Sequence, residues 1–127
     1  MSTDTGGLSV DTESLGGLAY VGIVAAIISG LIHLRLGVGF IDSPLGISFI
    51  LAGLGFLGAV ALVVLNYRRR LVYAVGIPFT AIQIVLWYVF NFVAGDKAFP
   101  AEVGTLGAID KIAQVVLIAV LVILLRE

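Results

Sequence analysis

The chain contains no cysteine, which excludes disulfides, thiolate metal centres and thiol chemistry outright. Its one histidine, His33, excludes bis-histidine haem ligation within the chain, and other axial pairs need a partner not visible in the sequence. The one methionine is the initiator, so copper and zinc find no ligand set. Charge is scarce as well. Only 12% of the 127 residues are Asp, Glu, Lys or Arg, and a net charge of −1 argues against nucleic-acid binding. No Ser/His/Asp set or glycine-rich phosphate loop stands at an interpretable spacing, so the expectation is a non-enzymatic protein with no cofactor, no catalytic residues and no metal site. The segment GVGFID invites comparison with a potassium filter, but it lacks the preceding threonine, does not match the second glycine of the filter pattern and leaves no room for a separate pore helix, so that reading is rejected.

What the chain has in abundance is apolar sequence. Hydrophobic residues make up 61% and the mean hydropathy is +1.20, more apolar surface than a soluble domain of this size could cover. Uncharged runs lie between Glu13 and Arg35, between Asp42 and Arg68, and between Arg70 and Asp96, with a shorter one at Ile112–Leu125. Runs of about 20 apolar residues mark membrane spans. The predicted fold is an all-α membrane protein, an antiparallel bundle of four transmembrane helices over 15–127, with spans near 15–36, 45–66, 71–93 and 105–125. Residues 1–14, acidic and rich in Ser, Thr and Gly, are expected to form a mobile tail. That start lacks the basic residues of a secretory signal peptide, so the first helix is expected to be retained.

Arg68, Arg69 and Arg70, with Arg126 on the same side, predict both termini in the cytoplasm of a multi-pass cell-membrane protein. The triplet is read as a topology determinant, with a lipid-headgroup patch as the alternative. The uncharged part of the last span would cover roughly 21 Å of a core roughly 30 Å thick, which draws Asp110 and Lys111 to the membrane boundary.

Helix faces locate the candidate site. Gly22, Ala26 and Gly30 form a small-residue stripe flanked by Ala25 and Ser29, and His33 shares that inward face while Arg35 points away. In the second span Ser48, Ala52, Gly55, Ala59 and Asn66 form the predicted packing stripe, with Gly55 and Ala59 as its close-approach pair. The third carries a seam of Tyr73, Gly76, Thr80, Gln83, Trp87 and Asn91, and the fourth adds Gly107, Asp110, Lys111 and Gln114. Polar seams in membrane helices face the bundle or water. His33, Gln83, Trp87, Asp110 and Gln114 are therefore expected to converge in the outer half, with Asn91 and Lys111 at the rim, as a pocket or as hydrogen-bonded glue. The inner half is mostly aliphatic, apart from Tyr73 and Thr80.

The acidic Asp/Thr/Gly start, the preference for arginine over lysine, and the segments GLIHLRLGVGF, LNYRRRLVYAVGIPFTAIQIVLWY and AIDKIAQVVLIAVLV together resemble a family of uncharacterised small four-helix membrane proteins of halophilic archaea. The resemblance covers nearly all of 17–126 and implies a membrane location and four spans, without an activity. A looser similarity, in helix number and size only, is to DoxX-like membrane proteins. The expected role is an accessory subunit or small-ligand-binding component, associated with the lipid bilayer and with a larger membrane complex or a homo-oligomer. The alternative is a small proton-linked transporter or channel-like protein using His33 and Asp110.

Overall fold

A computed structural model describes residues 9–127. Its helices are α1 (Gly17–Gly39), α2 (Pro44–Val64), α3 (Arg69–Tyr88) and α4 (Thr105–Arg126). The described residues contain no strand. All four helices are long and apolar enough to cross a membrane. Helix α3 continues without a break into a π-helical turn, Val89–Val93. Pro78 sits within α3 without ending it, although it removes one hydrogen bond from the ladder.

Local chemistry accounts for the element ends. Pro44 opens α2 at a position where its missing N–H is harmless, and Ser43 Oγ accepts a hydrogen bond from Gly46 N at 3.1 Å. Helix α2 closes with Asn66 in the left-handed region, φ 53°. Asn66 N donates to Val63 O and Tyr67 N donates to Leu62 O, the paired bonds of a Schellman cap. Asparagine tolerates that backbone region better than most side chains.

In space α1 packs against α2 and α4, α4 packs against α3, and α2 and α3 touch least of the neighbouring pairs. The core is built from Ala25, Ala26, Phe56, Tyr73, Leu117 and Leu121 among others. On α1 the expected stripe of Gly22, Ala25, Ala26, Ser29 and Gly30 is buried, as is His33, while Arg35 is exposed.

The expected α2 stripe is corrected in part. Ser48, Gly55 and Asn66 are exposed and Ala52 and Ala59 half-buried, whereas the buried residues are Gly46, Gly53, Phe56 and Val63. Small residues are spread around α2: the face packed on α1 carries Gly53 and Phe56, whereas Gly55 of the expected stripe meets α3, an added Cβ there lying 2.8 Å from Phe79 Cζ. The close approach to α1 uses Gly53, where an added Cβ would lie 2.8 Å from Gly30 O. Large apolar side chains cover the outward faces: Leu51, Val85 and Ile112 are 63%, 58% and 66% exposed.

Of the expected tail, residues 1–8 lie outside those described. The part from Ser9 to Ser14 is tied to the α2–α3 turn. Asp11 N donates to Val64 O at 2.8 Å, and Asn66 Nδ2 donates to Asp11 Oδ2 at 3.1 Å. Arg69 donates to Asp11 O, Ser14 Oγ and Val63 O at 2.6, 2.5 and 2.8 Å. Arg70 reaches the far end of α4, donating to Leu125 O at 2.7 Å. Arg68 lies over the Tyr67 ring.

Candidate functional site

Ser29 and His33 are one turn apart on the buried face of α1, so both look across at α4. On α4, Asp110 and Gln114 are likewise one turn apart and buried. The two pairs meet. Ser29 Oγ donates to Asp110 Oδ1 at 2.6 Å and accepts from Gln114 Nε2 at 3.2 Å. Gln114 Nε2 also donates to Gln83 Oε1 of α3 at 3.2 Å, and Gln83 Nε2 donates to Phe79 O at 3.0 Å. Lys111 Nζ closes the group by donating to Asp110 Oδ2 at 2.8 Å and Gln114 Oε1 at 2.7 Å, with the Trp87 ring 5.3 Å away.

Each amide has its orientation assigned by these partners. The Gln114 oxygen faces an ammonium and its NH2 faces two oxygens, the arrangement in which both ends are satisfied. His33 Nδ1 lies 2.8 Å from Ser29 O. A carbonyl only accepts, so this contact assigns the hydrogen to Nδ1. The same nitrogen is 3.7 Å from Asp110 Oδ1, and the imidazole packs against Phe49 and Phe56 of α2. Asp110 thus has an ammonium on one oxygen and a hydroxyl on the other. Burying a carboxylate is tolerable only with such partners.

Six of the seven predicted residues are brought together: His33, Gln83, Trp87, Asp110, Lys111 and Gln114. Asn91 is not among them. Its Nδ2 donates to Trp87 O at 2.8 Å within the end of α3. The central member, Ser29, is fully buried and was read from sequence only as packing surface. Its position one turn before His33 and level with Asp110 was the available signal. Among the described residues no three His, Asp or Glu side chains come together as a metal site would require.

A partly open cavity of about 60 Å³ lies toward the end of the bundle that carries the arginine turn. Its walls include Ala26, Phe56, Tyr73, Thr80, Leu117 and Leu121, and none of the seven predicted residues lines it. Thr80 is fully buried, and among the described residues its Oγ1 is the buried side-chain atom without a hydrogen-bond partner. The polar cluster and the cavity are therefore separate features of the same bundle.

No curated protein and no solved structure matches the chain. A family model does match, over residues 5–125, and the chain accordingly belongs to DUF7475, a family of unknown function.

Proposed function

We propose that the chain is a non-enzymatic integral membrane protein, an antiparallel bundle of four transmembrane helices with both termini in the cytoplasm. In this reading its polar cluster is a clamp that holds α1, α3 and α4 in one arrangement. The observation that carries the clamp is the closed circuit from Lys111 through Asp110, Ser29 and Gln114 to Gln83. Side chains that satisfy one another leave little polar valence for a ligand. Membrane insertion is supported by four apolar helices and by apolar outward faces, and the orientation by the arginine turn. Arginine over lysine and the acidic start support a halophilic archaeal source. The likeness to DoxX-like proteins rests on helix number and size alone.

A rigid bundle of this size without reactive groups suits an accessory or small-ligand-binding component of a larger membrane assembly or a homo-oligomer. The test is to solubilise native membranes gently and size the complex that carries the chain. Co-purification with a larger membrane partner is the expected result, and a lone monomer would contradict the accessory role.

The second reading, proton-linked transport, is favoured by one distance, the 3.7 Å between His33 Nδ1 and Asp110 Oδ1. It predicts a pH-gradient-dependent flux that Asp110→Asn abolishes, and undiminished flux in that variant would count against it. Among the described residues the cavity in the arginine half is lined by no Asp, Glu, His, Lys or Arg, which weighs toward the clamp.

A further inference from the structure

The cavity in the arginine half is apolar apart from two hydroxyl-bearing residues, Tyr73 and Thr80. Helical threonines ordinarily return their hydroxyl to a carbonyl one turn earlier, yet Thr80 Oγ1 is buried and has no partner among the described residues. A buried hydroxyl without a partner keeps a hydrogen-bonding capacity that an incoming polar group can satisfy. Water is a poor candidate, because a buried water needs two to four polar partners. Tyr73, the other hydroxyl on the wall, is two turns away on the same helix, and helical side chains lean toward the N-terminus, carrying its tip away from Thr80.

The mouth is equally informative. The liners on α1 and α4 are mostly buried, whereas Ala59, Val60, Val72, Gly76 and Phe79 are half-buried and belong to α2 and α3. Those two helices touch least of the neighbouring pairs. The half-buried liners place the opening sideways between α2 and α3, beside exposed apolar side chains such as Leu62 and Val75.

We infer that this cavity is a binding site for a single apolar chain carrying one hydrogen-bonding oxygen, which enters laterally between α2 and α3 and places its oxygen on Thr80 Oγ1. The apolar walls take the chain and the hydroxyl selects the oxygen. The route of entry rests on the membrane reading. Binding itself is measured on detergent-purified full chain, so its failure is distinguishable from a failure to fractionate with membranes.

The probe is decanol bearing a diazirine in its tail, cross-linked to the purified protein and mapped by peptide mass spectrometry. Label is expected on α2 and α3 residues at the mouth, such as Val60 and Phe79. Unlabelled decanol should compete about fivefold better than decane, the value of one net hydrogen bond. Thr80→Val should remove that preference while leaving the melting temperature unchanged or higher, because it deletes an unpaired hydroxyl at nearly constant shape. Ala59→Trp, which narrows the mouth, should abolish most of the labelling. Label that is unsaturable or lies outside the cavity would overturn the site. A Thr80→Val protein that still prefers decanol would overturn the role of Thr80, and with it the inference.

Discussion

One hydroxyl, that of Ser29, joins α1 to α4 by donating to Asp110 while accepting from Gln114, whose amide goes on to Gln83 of α3. Replacing it with alanine deletes few atoms but leaves a buried carboxylate oxygen and a buried amide N–H each short of a partner. Ser29→Ala should therefore lower the unfolding free energy in detergent by about 2 kcal/mol, far more than an ordinary loss of a small side chain. A melting temperature equal to that of the native chain would remove Ser29 from the centre of the clamp. Residues of this kind are hard to find in sequence. His33, Asp110 and Gln114 stand out because polar groups are rare in apolar runs, whereas a serine on a small-residue stripe serves close packing and hydrogen bonding alike.

Asp11 acts at the turn, at the boundary between residue and element. Loss of solvent raises its carboxyl pKa, but hydrogen bonds from Ser14 and Asn66 and the Arg69 charge lower it more, leaving the group below its ordinary value. A depressed carboxylate contributes stability at and above the ordinary carboxylate range and loses it as pH falls through the native value. Stability should therefore decline on acidification below that range, and Asp11→Asn should flatten this part of the profile, as followed by thermal unfolding against pH. A variant as acid-sensitive as the native chain would show that the Asp11 carboxylate does not contribute to holding the tail.

At the scale of elements, helix number and approximate bounds were legible because apolar runs punctuated by charge leave few alternatives. Helix faces were legible only where polarity marked them. The α3 and α4 seams face inward, with Tyr73, Thr80, Asp110 and Gln114 buried. On α2, which lacks a polar seam, spacing of small residues pointed to the exposed Ser48–Gly55 side. The packing face was decided by the backbone contact at Gly30 and Gly53 and by the fit of Phe56 beside His33 and Phe79. Gly53→Val should destabilise the protein by about 1–3 kcal/mol by forcing α1 and α2 apart. Ser48→Val, on the side indicated by spacing, should change it by less than about 0.5 kcal/mol. Equal effects in denaturant unfolding would reverse the assignment of the α2 face.

For the whole molecule, the bundle divides by chemistry along its length. One half is tied across three helices by a satisfied polar circuit, and the other is largely apolar, holds the cavity, and is closed at its end by Arg69, Arg70, Asp11 and Asn66. Convergence of the polar residues was legible from helical periodicity and depth. Whether they would enclose space or fill it was not, because that depends on side-chain reach and crossing geometry that periodicity does not carry. The central claim, that the circuit is a clamp, is tested most directly by a double-mutant cycle. Ser29→Ala and Asp110→Leu would be combined and unfolding free energies measured in detergent for all four proteins. The account predicts a coupling of about 1 kcal/mol between the two sites. Strictly additive losses would contradict it.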